Sequence, residues 1–427
     1  MITAAILGSV FVFTLLLNIP IAFCLGLASL TAFAVAQVPL TALPQRMFAA
    51  IDFFPFLAIP FFMLAGSLME RGGISRKLVM LANELMGPIR GGLAMTTCLA
   101  CAFFAALSGS GPATVAAIGS IMYPEMVKQG YDKHVSAGLV SVAGGLGPII
   151  PPSILMVVFG VVTETSIGAL FLGGIFTGLV ILLLLMVASY IMARRLGWEG
   201  ARSHWSGRGI MTATWAALPA LGMPLIILGG IYGGFFTPTE AAAVAVVYSF
   251  FVGFFVYKEL KPAHVIPVLE RSAVAATVVM IIIATSSVFS WMFAYAGISK
   301  LMIATLANVL NTPTRFLIVT TIILLIFGTF MDGSPIVILL MPFLYPLVGP
   351  FGIHPTHFGL ITTVALVIGF CTPPVAINIY AASGLSGLPM EEVVRGQWPF
   401  LIAMFIGLII VILVPGLSTW LPSVVIK

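Results

Sequence analysis

The sequence predicts an all-α polytopic membrane protein with an inverted-topology repeat, in which each half contains a re-entrant helical hairpin and a discontinuous helix. Of its 427 residues, 61% are hydrophobic and only 7% are charged, whereas soluble domains carry about 25% charged residues. Four clusters rich in glycine, proline and hydroxyl or acidic residues interrupt the long apolar segments. Unpaired backbone groups at such interruptions persist in a bilayer only when they are buried in protein or line a polar cavity.

The two halves of the chain repeat their interruptions at a constant offset of 222 positions. The equivalent positions are Ser110 and Asp332, Gly111 and Gly333, Tyr123-Pro124 and Tyr345-Pro346, Gly147 and Gly369, and Pro151-Pro152 and Pro373-Pro374. Interrupted helices at corresponding places are typical of duplicated secondary transporters, whose binding site lies at the repeat interface. We therefore predict a first repeat over residues 1–195, a cytoplasmic linker over 196–209 and a second repeat over 210–427.

The first repeat begins with apolar segments at 2–17 and 21–36, which predict two helices or one kinked helix. Residues 37–54 contain prolines and charges and are predicted to be a connection, which a span at 55–70 follows. Residues 78–90 have an apolar and a polar face. This pattern predicts either a helix along the membrane interface or an extension of the next helix.

Residues 91–127 form the predicted first hairpin, with the sequence SGSGP at its tip. Basic residues flank both of its ends, and an excess of Lys and Arg marks cytoplasmic loops. The segment must therefore enter and leave by the cytoplasmic face. Residues 135–161 are predicted to span the membrane with a break at 144–153. The loop that follows lacks Lys and Arg and is predicted to face outward, and residues 168–193 return to the cytoplasm.

The second repeat contains the same elements in the opposite orientation, which the charge counts indicate independently of the 222-residue offset. Lys258, Lys261 and Arg271 are assigned to a cytoplasmic loop. The predicted elements are spans at 213–232, 239–257 and 272–296, an interfacial helix at 297–314, a hairpin at 315–347 that enters from outside, a helix at 358–384 that breaks at 369–374, and a last span at 398–421.

Half-helices that end inside the membrane direct dipoles and free carbonyl groups into the cavity between them, and such carbonyls bind cations. Hydroxyl and carboxylate side chains add oxygen ligands that suit sodium. The predicted sodium-binding residues are Ser108, Gly109, Ser110, Gly144, Gly147 and Pro148 in the first repeat, and Thr329, Asp332, Gly333, Ser334, Gly369 and Thr372 in the second. The candidate substrate-binding residues are Ser110, Thr114, Pro151, Ser153, Pro373 and Asn378. Thr114 is also a candidate cation ligand.

Several of these assignments have alternatives. Ser and Asp residues at hairpin tips also cap helices, so Asp332 is a sodium ligand, a proton carrier or a cap. An ionisable residue inside the membrane is by default a functional candidate. Asn378 contacts the substrate or an ion, or it makes a hydrogen bond between helices.

Other function classes find no support in the sequence. The chain lacks the phosphate-binding motif G-x-x-x-x-G-K-[ST] of ATPases and the H-E-x-x-H and G-x-S-x-G motifs of hydrolases. Its net charge of +5 comes from residues scattered through short loops, which indicates orientation and not nucleic-acid binding. Cys98 and Cys101 are expected to be small packing residues, and no cleavable signal peptide is predicted. The five histidines are assigned to solvated loops: His134, His204, His264, His354 and His357.

Four motifs, in order, resemble the large membrane subunit (DctM type) of tripartite ATP-independent periplasmic (TRAP) transporters. They are SGSGPATVAAIGSIMYPEM, GGLGPIIPPSILMVVFG, GTFMDGSPIVILLMPFLYPL and GFCTPPVAINIY. The resemblance covers essentially the whole chain. It implies a multi-pass protein of the bacterial inner membrane that imports an organic acid of the sialic acid or C4-dicarboxylate type with two or more sodium ions and no ATP.

The resemblance also implies partners and a mechanism. The partners are a periplasmic substrate-binding protein and a small four-helix membrane subunit, expected here as a separate chain. The implied mechanism is an elevator, in which both hairpins and both broken helices form a transport domain that slides against a scaffold of the remaining spans. The alternative is a stand-alone sodium/anion symporter of the divalent-anion superfamily, and an intramembrane enzyme is disfavoured because no catalytic constellation is present.

Overall fold

The computed structural model describes residues 2–17, 19–200, 204–297 and 312–426, and in these ranges the chain folds into helices without strands. The helices are α1 Ile2–Leu16, α2 Ile21–Val35, α3 Ala42–Ile51, α4 Ala58–Arg71, α5 Ile74–Met86, α6 Gly92–Ser108, α7 Gly111–Lys128, α8 Lys133–Ala143, α9 Ile154–Val162, α10 Ile167–Leu196, α11 Gly207–Tyr232, α12 Pro238–Phe251, α13 Pro262–Tyr295, α14 Pro313–Gly328, α15 Gly333–Leu344, α16 Pro355–Phe370, α17 Ile377–Ser386, α18 Met390–Leu413 and α19 Gly416–Val425.

Within the described ranges, six helical segments are long and apolar enough to cross a membrane, or seven if α8 and α9 count as one span. The α8 and α9 segments bend by 42° at their break. Shorter apolar helices add to these spans, and they include the first arm of the first predicted hairpin and both arms of the second. The prediction of an all-α polytopic membrane protein is confirmed.

Both predicted hairpins are present as pairs of helices with a short break at the tip. In the first hairpin, α6 ends at Ser108 and α7 begins at Gly111. Gly109 has a φ of 60°, a left-handed conformation that a residue with a side chain rarely adopts, and Ser110 is extended. In the second hairpin, α14 ends at Gly328 and α15 begins at Gly333.

Both discontinuous helices are also present, and their breaks contain the two Pro-Pro pairs. The first break separates α8 from α9, and a 3-10 turn at Gly144–Leu146 begins it. The second separates α16 from α17. The Pro151-Pro152 and Pro373-Pro374 peptide bonds are both cis, so the two breaks share this backbone feature.

The two repeats are joined crosswise at the hairpins. The second arm of the first hairpin, α7, packs against α17, which is the second half of the other repeat's broken helix. The second arm of the second hairpin, α15, packs in the same way against α9. Each hairpin is therefore partly buried by the opposite repeat, and both tips face the same region of the protein. The division into repeats at residues 195 and 210 stays a prediction.

The first repeat differs from the prediction before its hairpin. The predicted connection at 37–54 contains the helix α3, in which Pro44 falls in the first turn, where a helix tolerates proline. The segment predicted as an interfacial helix at 78–90 begins earlier, at Ile74. Its apolar face packs on α6 and α11, and a turn at 87–91 separates it from α6, so it is not an extension of that helix. The first two apolar segments are two separate helices.

Two spans of the second repeat also have different bounds. The helix α13 begins at Pro262 and not near 272, so Arg271 lies inside a helix and not in a loop. Proline fits the first turn of a helix, where its missing N–H needs no partner. The last predicted span, 398–421, is instead α18 at Met390–Leu413, and Pro415 separates it from α19. The predicted interfacial helix at 297–314 lies mostly outside the described residues.

The prediction of solvated histidines is wrong for His357. This residue lies in α16, is buried, and places its Nδ1 3.2 Å from the Ser418 hydroxyl of α19. His134 and His264 lie in the first turns of α8 and α13 and not in loops. A helix that starts at Pro355 turns His357 toward α19, and the position of α19 could not be read from the local sequence.

Asp132 supplies a testable local contact at the start of α8. Its carboxylate accepts hydrogen bonds from the backbone N–H groups of His134 and Val135, both at 2.9 Å. Loss of such a cap costs about 1 kcal/mol. We expect Asp132→Ala to lower the free energy of unfolding in detergent by about that amount, while Asp132→Asn, which still caps, changes it by a few tenths. Equal losses in both variants would contradict this assignment.

Candidate functional site

At the tip of the first hairpin, the hydroxyls of Ser108 and Thr114 both lie close to the Ser110 carbonyl. The Thr114 hydroxyl donates to the Ser110 carbonyl at 2.7 Å, and the Ser108 and Thr114 hydroxyls are 3.0 Å apart. The Ser110 side chain makes no capping hydrogen bond to α7. Its hydroxyl is half-buried and is not used by the helix it precedes, so the capping alternative does not describe Ser110.

The tip of the second hairpin does contain a cap. Asp332 accepts a hydrogen bond from the N–H of Gly333 at 2.7 Å. A carboxylate has two oxygens and about four acceptor positions, so this single bond leaves most of its capacity free. The Thr329 hydroxyl donates to the Ile326 carbonyl at 2.8 Å. The Thr329 carbonyl accepts from the N–H groups of Val375 and Ala376, which ties this tip to the second break.

The first break is closed by its own residues. Ser153 donates to the Pro148 carbonyl at 2.5 Å and accepts from the N–H of Met156, so it caps α9 and is buried. Gly147 lies directly beneath the tip of the first hairpin. A Cβ at this position would come within 2.6 Å of the Ser110 carbonyl carbon, so glycine is required for the close approach of the two backbones.

The second break is held by amide side chains from neighbouring helices. Gln397 of α18 donates to the Cys371 carbonyl at 2.8 Å, and Asn378 donates to the Ser141 carbonyl of α8 at 3.3 Å. The interhelical hydrogen bond considered for Asn378 is therefore present. Its Oδ1 atom is buried without a partner in the described residues and lies against Gly111. The Thr372 hydroxyl donates to the Ile368 carbonyl at 2.8 Å.

A cavity of about 140 Å³ lies where the two tips and the two breaks meet. We call it the central cavity. Its polar lining comes from Gly109, Ser110, Gly111, Pro148, Asp332 and Ser334, all from the hairpins and the first break. Phe370, immediately before the second break, and Ile377, immediately after it, also line the cavity. Met63 of α4 and Val279 of α13 form the opposite wall.

The predicted site residues thus fall into two groups. Five of them line the central cavity: Gly109, Ser110, Pro148, Asp332 and Ser334. The other predicted residues form the tips and breaks but do not line this cavity in the described structure: Ser108, Thr114, Gly144, Gly147, Pro151, Ser153, Thr329, Gly333, Gly369, Thr372, Pro373 and Asn378. Ser108 lines an adjoining cavity together with Ser110.

Sequence reasoning missed the residues that complete the site. Met63 and Val279 are apolar residues in apolar helices, and no local signal distinguishes them from their neighbours. Gln397 could have been found, because an amide inside the apolar segment of α18 needs a hydrogen-bonding partner in the membrane. The side-chain nitrogen of Gln397 has such a partner in the Cys371 carbonyl at the second break.

The donors at the site are oxygen atoms. Among the described residues, no group of three His, Cys, Asp or Glu side chains lies close enough to hold a metal ion. The available ligands are the hydroxyls at the first tip, the carboxylate of Asp332 and the backbone carbonyls at the breaks. Unwound carbonyls and half-helix ends of this kind coordinate sodium in secondary transporters, so the donor set fits that ion.

The match to a known family extends over nearly the whole chain. The profile of the family described as "Tripartite ATP-independent periplasmic transporter, DctM component" matches residues 7–417. The chain belongs to the DctM family. It is therefore a multi-pass membrane protein of a bacterial transporter family, and the resemblance read from its four motifs is confirmed.

Curated relatives of this DctM chain are named as permeases. It is 42% identical over 400 residues to the C4-dicarboxylate TRAP transporter large permease protein DctM of Pseudomonas aeruginosa, covering 93% of both chains. It is 41% identical over 413 residues to the isethionate TRAP transporter permease protein DctMQ of Oleidesulfovibrio alaskensis, covering 96% of this chain but 65% of that protein. It is 35% identical to the sialic acid TRAP transporter large permease protein SiaM of Vibrio cholerae, covering 89% of this chain and 88% of that one.

A solved structure supports the fold of this DctM chain. The YdaH transporter of Alcanivorax borkumensis, whose crystal structure is described as having an unusual topology, superposes with a TM-score of 0.63 at 15% identity. The alignment covers 95% of this chain and 97% of the other. This likeness concerns the architecture alone.

Proposed function

We propose that the chain is the large permease subunit of a sodium-coupled TRAP system of the bacterial inner membrane, which imports an organic acid. The observation that carries the proposal is the central cavity, where two hairpin tips and two helix breaks from both repeats meet. Ion and substrate sites of duplicated transporters lie at such repeat interfaces.

The two kinds of helix end at the cavity have complementary roles in this proposal. The first turns of α7 and α15 contribute Gly111, Pro112 and Ser334 to the lining, and helix N-termini favour negative charge. They would receive the carboxylate of the substrate. The cluster of Ser108, Ser110 and Thr114 oxygens and the free acceptor positions of Asp332 would hold sodium ions beside it. The positive charge of the sodium ions and the negative charge of the substrate carboxylate then offset each other.

The proposed movement is an elevator. Its support is the crosswise packing of the hairpins and broken helices, which makes one body from parts of both repeats. On the opposite side, α4 and α13 present Met63 and Val279 to the cavity, and these apolar side chains form no hydrogen bonds that sliding would break. We propose that the hairpins and broken helices carry the substrate past this wall.

The proposed substrate class is based on the names of the relatives. Their names specify C4-dicarboxylates, isethionate and sialic acid, and each of these compounds carries a carboxylate or a sulfonate. We propose an organic anion of this kind as the substrate. The further proposed partners are a periplasmic substrate-binding protein, which delivers the anion, and a small membrane subunit.

Reconstitution tests the proposal directly. Proteoliposomes that contain the chain, its small subunit and the binding protein are supplied with radiolabelled succinate, isethionate or N-acetylneuraminate. We expect uptake of at least one of them to fall at least tenfold when sodium is replaced by potassium, and to be unaffected by ATP. Sodium-independent uptake would overturn the coupling. Sodium-dependent uptake without the binding protein would instead favour a stand-alone symporter.

A further inference from the structure

A second cavity of about 110 Å³ adjoins the central cavity, and we call it the side cavity. Met63, Ser110 and Ile154 line both cavities. The side cavity lies between the tip of the first hairpin and the helices α4 and α13. On the α13 side its lining includes Arg271 and Ser272, so a basic side chain is found one cavity away from the proposed ion site.

The side cavity is the first of a series. Ser67, Glu70 and Arg271 also line the next cavity, of about 170 Å³. Glu70 and Arg71 then line a larger one of about 600 Å³. The loops near this end carry the basic residues that predict the cytoplasmic face. Their shared lining residues therefore place the cavities in a row between the central cavity and that face.

Two groups in the side cavity have no protein partner in the described structure. The Ser272 hydroxyl makes no hydrogen bond although the residue is only 5% exposed. The Arg271 guanidinium forms no ion pair with a described residue, even though Glu70 lines the same cavity. A buried hydroxyl without a partner is unfavourable by about 1–3 kcal/mol. Both groups, the hydroxyl of the buried Ser272 and the guanidinium of the exposed Arg271, can donate hydrogen bonds, and no acceptor among the described residues occupies them.

The wider end of the series carries mixed charge with a basic excess. Arg71, Arg76, His264 and Arg271 line its cavities, together with Glu70 and Glu259. A cleft with more positive than negative groups concentrates anions. The glutamates weaken this attraction. A site along a transport pathway must bind its ligand weakly enough to release it, so the mixed charge is consistent with such a pathway.

We propose that Arg271 and Ser272 form an anion subsite that receives the carboxylate or sulfonate of the substrate as it leaves the central cavity for the cytoplasm. This inference rests on the proposed function for the identity of the anion. The guanidinium presents two N–H groups in a fork that matches a carboxylate, and the Ser272 hydroxyl adds a third donor. Glu70, in the same cavity, competes for Arg271 and promotes release.

The test measures the charge preference of the side cavity and does not require transport. Ser67→Cys places a thiol in its lining, and the four native cysteines are free but buried. In inside-out membrane vesicles, this thiol is modified by a negatively charged and a positively charged methanethiosulfonate reagent, and the ratio of the two rates is recorded. A free cysteine peptide gives the intrinsic ratio.

We expect the negative reagent to be favoured relative to the peptide, and Arg271→Gln to reduce that preference at least about threefold. One unit charge acting over about 7 Å of water-like medium changes each rate by about threefold in opposite directions, and so changes their ratio by up to about sevenfold. Arg271→Lys should retain most of it, since the charge remains. The matched control is Arg195→Gln, which removes an exposed arginine of α10 that lines none of these cavities and should leave the ratio unchanged.

Two results would overturn the inference: a thiol at position 67 that cannot be modified from the cytoplasmic side, or a ratio that Arg271→Gln does not change. Sodium-dependent uptake by the unmodified protein is measured in parallel. If uptake is normal but the ratio does not respond, the subsite fails and the proposed function stands. If no anion is taken up but the ratio responds, the subsite stands and the proposed function fails.

Discussion

Asp332→Asn is expected to raise the sodium concentration for half-maximal uptake by about 10- to 100-fold. Hydrogen bonds and ligand contacts of an ionised group contribute about 1.5–3 kcal/mol, and asparagine removes the charge while it keeps one oxygen. Asparagine also caps helices as well as aspartate does. Asp332 accepts a hydrogen bond from the Gly333 N–H at 2.7 Å, and asparagine can still accept it. The substitution therefore distinguishes a sodium ligand from a helix cap. Uptake in proteoliposomes over a range of sodium concentrations measures the shift.

The matched control is Asp132→Asn, because Asp132 is also an aspartate at a helix start but caps α8 away from the central cavity. It should leave sodium activation unchanged. Ser110→Ala should shift activation in the same direction as Asp332→Asn, since the Ser110 hydroxyl lines the cavity and caps nothing. If Asp332→Asn and Ser110→Ala both activate like the unmodified protein, the tips are structural and the ions bind elsewhere.

Gly369→Ala is expected to abolish transport and to lower the free energy of unfolding by about 3 kcal/mol, at the upper end for overpacking. A Cβ at this position would lie 2.6 Å from the Cα and carbonyl carbon of Gly328. Both neighbours are backbone, so no flexible side chain can move away. The contact joins α16 to the end of α14, immediately before the tip that carries Asp332. Thermal unfolding in detergent and uptake measure the two effects.

Gly384→Ala is the control for that substitution. Gly384 lies in α17 of the same broken helix, and a Cβ there would meet no atom within 4 Å. Alanine is favoured over glycine inside a helix by about 0.5–1 kcal/mol, so this variant should be as stable as the parent or more stable. Similar losses in the two alanine variants would show that the Gly328 contact is not the cause.

The interruptions could be predicted from the sequence because their causes are local. Gly109 adopts a backbone conformation that glycine favours, and proline pairs cannot continue a helix, whatever surrounds them. The 222-residue offset then located the second hairpin and the second break from the first. Helix starts that depend on a single proline were harder to predict, and the early start of α13 at Pro262 moved Arg271 from a predicted loop into a helix.

The site itself was only partly predictable, because its lining depends on which helices meet. Ser153 was a candidate for the substrate, but its hydroxyl is engaged by the Pro148 carbonyl and the start of α9. Met63 and Val279 complete the cavity and carry no chemical signal in the sequence. The position of α4 and α13 against the hairpins is set by packing between distant segments, and residue type alone does not encode it.

The crosswise packing of the hairpins has a consequence for biosynthesis. Helix α7 is completed at Lys128, but its partner α17 begins at Ile377, roughly 250 residues later. At about 5–20 residues per second, a ribosome needs about 12–50 s to supply that partner. For this interval the surface of α7 that packs on α17 lacks that partner. The packing of the first hairpin, in the first third of the polypeptide, is therefore completed only by a helix from the last third.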